Sequence, residues 1–159
     1  MEEGHSFEQR SAKTAMLVLR IVTVDLPSEE TVPGSRLVAD RYRLGHKIGV
    51  GGMGSVYRAY DEIIGEDVAL KLLHKNDQAD SSRFVREVAL ARRVTHRNVA
   101  RTFDLGFDGA TMFITMEFIA GLSVHERLKA GPLSLTEAAS VLAQAALGLS
   151  AAHLSLIHI

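Results

Sequence analysis

Residues 48–57 read Ile-Gly-Val-Gly-Gly-Met-Gly-Ser-Val-Tyr, and a single lysine, Lys71, follows inside the apolar run Val68-Ala69-Leu70-Lys71-Leu72-Leu73. Gly49, Gly51 and Gly54 stand at G-x-G-x-x-G spacing, with Val56 two places on. What flanks this pattern limits the fold. Tyr42–Ile48 reads as a strand before it and Ser55–Tyr60 as a strand after it, so the glycines belong to a turn between strands. A dinucleotide-binding turn instead opens a helix and needs an acidic residue about 20 positions later. Here a strand follows, and Lys71 occupies that stretch. Without Cβ atoms, a glycine-rich turn lets backbone N–H groups approach phosphate oxygens closely. The plain alternative is a flexible β-turn.

Lys71 sharpens the choice. An unpaired ammonium is costly to bury, so it requires an anion, either a phosphate or a carboxylate. Glu87 is the candidate carboxylate. It falls in a predicted helix over roughly 83–94, which Asp80-Ser81-Ser82 supplies with N-cap residues. Phe84, Val88 and Ala91 line one face of that helix at i, i+4, i+7, and Arg92 and Arg93 lie in its last turn, where the helix dipole favours cations. The alternative partner for Glu87 is Arg83, four residues earlier on the surface.

The remaining pattern alternates regularly. Asp61–Gly65 reads as a turn, and Glu66–Leu73 as a strand apolar enough to be buried on both faces. Strands are predicted near Val99–Leu105 and Thr111–Phe118, with Asp108-Gly109 as the hairpin signal between them. Ser123 with Glu126 opens a short helix, and Ser134 with Glu137 opens a long one reaching about residue 153; each pair is a capping box. Gly131-Pro132 separates these helices. Ala138, Val141, Leu142, Ala145, Leu149 and Ala152 make an apolar stripe along the long one. The order gives an α+β lobe feeding into a helical region. Upstream, Met1–Lys13 reads as a mobile polar terminus, Met16–Val24 as a strand and 27–34 as a linker, so residues 1–40 form an extension.

Composition narrows the partners. The chain has 159 residues, 47% of them hydrophobic, and a formal net charge of -1, so no strong field favours nucleic acid or an anionic membrane. It has no cysteine, hence no disulfide framework and no thiolate metal site, which fits a cytoplasmic location. Ala15–Leu26 is interrupted by Arg20 and Asp25 and falls short of the roughly 20 residues of a membrane span. It also lacks a basic leader and a small-residue cleavage site, which argues against a signal peptide. The histidines are scattered without ligand spacing, so no metal site is expected from them. Arg83, Arg86, Arg92, Arg93, Arg97 and Arg101 read as a solvated face.

Taken in order, Gly49-Val50-Gly51-Gly52-Met53-Gly54-Ser55-Val56, Val68-Ala69-Leu70-Lys71 and Arg86-Glu87 resemble the N-lobe of a protein kinase. Gly-Gly-Met-Gly-Ser-Val-Tyr, and the stretch Phe84–Asn98 ending in Thr-His-Arg-Asn, resemble the bacterial, eukaryotic-like serine/threonine kinases. The resemblance runs from about Tyr42 to about His153. It implies an N-lobe and hinge over 41–120, built as a five-stranded antiparallel sheet plus one helix, and the first C-lobe helices over 121–153. It implies ATP as ligand. Ile48 and Val56 would cover the adenine and ribose, Ala69 would pack against the adenine, and Gly49, Val50, Gly51, Gly52, Met53 and Gly54 would close over the phosphates. Lys71 would bind the α- and β-phosphates and pair with Glu87. Met116 would be the gatekeeper at the back of the pocket. The Glu117 carbonyl and the Ile119 amide would bond the adenine edge.

The implied activity is transfer of the ATP γ-phosphoryl group to a hydroxyl of a protein substrate. The family's catalytic-loop Asp, and the Asn and Asp-Phe-Gly Asp that hold Mg²⁺, do not occur in this sequence, so the chain by itself is expected to be inactive. A reading from another class is a non-catalytic nucleotide-binding or scaffolding module of kinase fold. The last residues, Leu154–Ile159, match the family poorly and resemble translated sequencing-adapter read-through, so they are set apart from the domain.

Overall fold

A computed structural model describes residues 36–51, 54–73 and 81–157. The predicted strand at Met16–Val24, the linker at 27–34 and the polar terminus lie outside the described residues, as do Gly52, Met53 and the N-cap candidate Asp80. The elements run β1 (Leu37–Val38), β2 (Tyr42–Gly51), β3 (Gly54–Asp61), β4 (Glu66–Leu73), α1 (Ser81–Ala91), β5 (Thr102–Asp108), β6 (Thr111–Glu117), α2 (Val124–Lys129) and α3 (Leu135–Ile157). The strands form one antiparallel sheet in the order β1-β2-β3-β4-β6-β5.

The sheet has six strands, which corrects the expected five. The extra one, β1, is only two residues long and carries no alternation for a sequence to show. Ala39 and Asp40, both at φ 52, turn the chain back into β2. Val38 is fully buried and holds β1 against the sheet. The turn is secured by Asp108, which accepts from the Ala39 N–H and from the Arg36 guanidinium.

Alternation along β4 explains the two cores. Val68, Leu70 and Leu72 share one face with Ala59 and Phe113, and with Tyr42 and Val38 they make the first core. The Tyr42 and Phe113 rings meet edge-on there, with centroids 5.6 Å apart. Leu73 points to the opposite face, where α1 lays Phe84 and Val88 over Ile114 and Met112, with Met116 packed alongside. Each large side chain buried this way stabilises the fold by about 1.5–3 kcal/mol. β4 is therefore covered on both faces, as its composition implies.

Local chemistry sets several boundaries. The Asp61 carboxylate closes the β3–β4 turn by accepting from the Ile63 N–H at 3.0 Å and from the Arg41 guanidinium at 2.7 to 3.0 Å. Burial pushes this carboxyl up, but the hydrogen bonds from Arg41 and the turn amides outweigh it and hold it below its usual range. Both capping boxes form. The Glu126 N–H donates to the Ser123 hydroxyl at 3.2 Å, the Ser123 N–H donates to the Glu126 carboxylate at 2.8 Å, and Ser134 and Glu137 repeat the pattern at the same distances. Arg127 of α2 also pairs with Glu137, tying the two helices together.

Several boundaries differ from expectation by a residue or more, three of them with consequences for packing. α1 ends at Ala91, so Arg92 and Arg93 lie in the turn beyond it rather than in its last turn. β5 begins at Thr102, not Val99. Residues 94–101 instead form a loop whose apolar residues, Val94 and Val99, pack against Ala152 of α3. Within it Asn98 is buried, donating its backbone N–H to His96 Nδ1 at 3.2 Å and its carboxamide to the Gln144 carbonyl at 3.1 Å. Finally, α3 continues past residue 153 to Ile157.

The far side of α3 is bare. Leu142 of the apolar stripe is 69% exposed, and Leu135 and Leu147, which lie outside the stripe, are 88 and 57% exposed. Among the described residues, Leu135–Ser155 is the one helix long and apolar enough to cross a membrane, by length and composition alone.

Candidate functional site

The glycine-rich segment is the β2–β3 hairpin, with Gly49 opposite Val56, Val50 opposite Ser55 and Gly51 opposite Gly54. Its glycines are there for different reasons. Gly54 has φ 154, and a Cβ on it would sit 2.1 Å from the Leu72 carbonyl oxygen, so β3 and β4 could not approach as they do with any other residue. A Cβ on Gly49 would meet nothing nearer than the Val56 Cβ at 3.8 Å, an ordinary contact. Glycine inside a strand costs roughly 0.5–1 kcal/mol relative to alanine. Among the described residues nothing lies close enough to require a glycine at 49.

The ladder places the other candidates in rows. Val56 lies opposite Lys71, and Lys71 opposite Ile114; two residues along, Arg58 lies opposite Ala69, and Ala69 opposite Met116. Val56, Ala69, Lys71 and Met116 thus share the sheet face that α1 covers in part. Ala69 is buried, while Val56, Lys71 and Met116 are half-buried. Glu87 is half-buried on α1 beside Val88, whose side chain faces the sheet. Lys71 stands on the β4 face that carries Leu73, against which α1 packs Phe84 and Val88, and Lys71 and Glu87 are each engaged in polar or electrostatic contact. Ile48 is 42% exposed near the hairpin base, where the β2–β3 register shifts between Lys47 and Gly49.

The β4–β6 ladder ends with Val68 opposite Glu117. Glu117 is stitched to the loop before β5: its N–H donates to the Arg101 carbonyl at 2.8 Å, and the Arg101 N–H donates to its carboxylate at 3.2 Å. Phe118, Ile119 and Ala120 follow in neither helix nor strand and lead toward α2. One contact here escapes a reading of motifs. The Arg58 guanidinium lies 5.2 Å from the Phe118 ring centroid and bonds the Asp67 carboxylate at 2.8 and 3.2 Å. The tight β3–β4 turn, which sets Arg58 diagonal to Asp67, is the sequence signal that could have found half of it.

Chemically, this face offers a small apolar floor at Ala69, an ammonium two residues farther along the strand, a glycine-edged hairpin and a backbone segment outside the ladder. Such a set suits a flat ring attached to a polyanion. No group of acidic and histidine side chains among the described residues is placed to hold a metal ion.

Comparison with known proteins agrees with this geometry. Residues 42–158 match the protein kinase domain. The chain is 37% identical over 124 residues to the serine/threonine-protein kinase pkn2 of Myxococcus xanthus, covering 76% of this chain and 15% of that protein. It is 35% identical over 120 residues to the serine/threonine-protein kinase PrkC of Bacillus subtilis, covering 73% of this chain and 18% of that one. Its fold superimposes on the PknI kinase domain of Mycobacterium tuberculosis with a TM-score of 0.65 at 24% identity, over 77% of this chain and 52% of that structure. The chain thus spans about half of that kinase domain and under a fifth of these curated relatives. Its α3 lies within the matched region, so the apolar composition of that helix belongs to the domain. The chain belongs to the protein kinase family of transferases, on the side of the bacterial serine/threonine kinases.

Proposed function

We propose that this chain is the ATP-binding portion of a serine/threonine protein kinase that transfers the γ-phosphoryl group of ATP to a protein hydroxyl. The observation that carries the reading is the shared face of Val56, Ala69, Lys71 and Met116 beside a hairpin whose Gly49 answers no steric need among the described residues. In this reading Ile48, Val56 and Ala69 enclose the adenine, and Met116 closes the back of its pocket. The Glu117 carbonyl and the Ile119 amide meet the adenine edge. Gly49–Gly54 cover the phosphates, and Lys71, steadied by Glu87, neutralises the α- and β-phosphates. Magnesium accompanies the nucleotide in the family; this chain's residues act on the nucleotide itself.

The domain limits follow the same reading: an extension over 1–40, an N-lobe and hinge over 41–120, the first C-lobe helices over 121–153 and a tail over 154–159 that is set apart by its sequence, although Leu154–Ile157 continue α3. A cytoplasmic location, where ATP is available, belongs to it too. The sequence holds neither a His-Arg-Asp nor an Asp-Phe-Gly segment to orient a hydroxyl and fix the metal, so the chain is expected to bind ATP without turning it over. The test is calorimetric titration of the 159-residue chain with ATP, alongside Lys71→Met. Binding that weakens at least about tenfold in the variant, a difference of about 1.4 kcal/mol, supports the reading. No binding by the unaltered chain overturns it, and phosphorylation turnover that Lys71→Met abolishes would overturn the expected inactivity.

A further inference from the structure

We infer that Arg58 is a positioning residue for the nucleotide site, holding the 117–119 segment in place through Phe118. The inference rests on the ATP-binding reading. Arg58 stands on β3 two residues from Val56, opposite Ala69, with Met116 beyond it, so it occupies the hinge end of the face whose other end carries Lys71. Its side chain is only 15% exposed. The Asp67 carboxylate accepts two of its N–H groups, and its Cζ lies over the Phe118 ring, 5.2 Å from the centroid. A guanidinium is suited to this because it can donate in its plane and stack above it at once.

Phe118 is the residue that needs such a hold. It is the first past the last β4–β6 pair and belongs to no helix or strand. Glu117 is fastened on the β5 side by its bonds to Arg101. Arg58 fastens the next residue from the sheet side. The main-chain groups assigned to the adenine edge, at Glu117 and Ile119, flank the clamped residue directly. With its charge directed to Asp67, Arg58 serves the ring-binding end of the site, and Lys71 the phosphate end. Loss of the clamp should therefore weaken recognition of the base and leave recognition of the phosphates alone.

The experiment compares ATP with inorganic triphosphate as ligands of the 159-residue chain, by calorimetry, for the unaltered protein, Arg58→Met, Phe118→Leu and the double variant. Expected is a loss of ATP affinity of about three- to tenfold in each single variant, the range set by a partly desolvated cation–π contact. Triphosphate affinity should stay within about twofold, and the double variant should be little weaker than either single one, because both remove one interaction. Equal losses for ATP and triphosphate, no loss, or additive losses overturn the inference. If Arg58→Met does not fold by circular dichroism, Phe118→Leu reads the same contact from the other side. An unaltered chain that binds triphosphate no more weakly than ATP, or binds neither, refutes the ATP-binding reading itself. Intact ATP preference with an unresponsive Arg58→Met and Phe118→Leu refutes only the clamp.

Discussion

Two glycines of one motif should respond oppositely to the same added methyl group. In Gly54→Ala the new carbon would lie 2.1 Å from the Leu72 carbonyl oxygen and 3.0 Å from its carbonyl carbon. Both are backbone atoms of β4, so relief requires β3 and β4 to part. The backbone at φ 154 adds conformational strain for any residue with a side chain. Strain of about 1–3 kcal/mol and overpacking of similar size place the loss on the order of 3 kcal/mol. For a chain of 159 residues that lowers the melting temperature by roughly 6–12 °C. In Gly49→Ala the nearest contact is 3.8 Å, and an alanine in a strand gains about 0.5–1 kcal/mol over glycine. That variant should melt at or slightly above the unaltered protein, yet bind ATP more weakly, because the methyl group fills the surface assigned to the phosphates. Melting followed by circular dichroism, with calorimetry for ATP, reads both. A Gly54→Ala protein melting within about 3 °C of the unaltered one would refute the steric account, given the scale of about 2–4 °C per kcal/mol. A Gly49→Ala protein with undiminished ATP affinity would remove the main support for the phosphate position.

Other expectations concern the scaffold. Asp61→Asn leaves Arg41 with a weakened partner and loosens the β3–β4 turn, so urea unfolding should show a loss of about 3 kcal/mol; a loss below about 1 would mean the pair contributes like an ordinary surface bridge. Asn98→Ala removes the carboxamide bonded to the Gln144 carbonyl and should cost about 1–3 kcal/mol. Amide exchange in 94–101 should accelerate with it, and unchanged exchange there would show that the apolar contacts alone dock the loop on α3. Hydrogen bonds from the Ser134 backbone, then its hydroxyl, then Arg127 lower the Glu137 carboxyl from 4.5 to about 2, and hydrogen bonds from Ser123 hold Glu126 below its usual range. Because the folded-state value of Glu137 is depressed, its contribution is present above about pH 4.5 and is lost as pH falls toward 2. Melting temperatures from pH 7 to about 2.5 should therefore fall less steeply in Ser134→Ala than in the unaltered chain; parallel curves would contradict the capping assignment.

Much of this architecture is legible where the causes are local. β4 spans Glu66–Leu73, as its apolar run with Gly65 before it implies, because both signals lie inside the element. The capping boxes at Ser123 and Ser134 form as their spacing requires, since each involves residues three apart. Distant causes are harder to read. Val99 and Ala100 are apolar because their loop is buried, with Val99 packed on Ala152, and this was indistinguishable from a strand start. Gly106 carries no turn signal; it is glycine because a Cβ there would come 2.5 Å from the Phe113 ring. The nucleotide-site candidates were legible as a row of residue types, and the sheet register supplies the common face. Arg58, Asp67 and Phe118 were not, because their meeting depends on a turn register and on where β6 stops.

β1 carries a lesson about where such a domain begins. The family pattern starts at residue 42, yet Val38 is sealed completely beneath the sheet, and Asp108 of the distant hairpin grips Arg36 and Ala39. A chain trimmed to the recognised boundary would lose that plug. The region around Phe113 and Tyr42 would open to water, and the outer edge of β2 would become a free template for strand pairing between molecules. The stretch that identifies the family is thus shorter than the stretch that seals the sheet, and the difference is a handful of residues that no kinase motif includes.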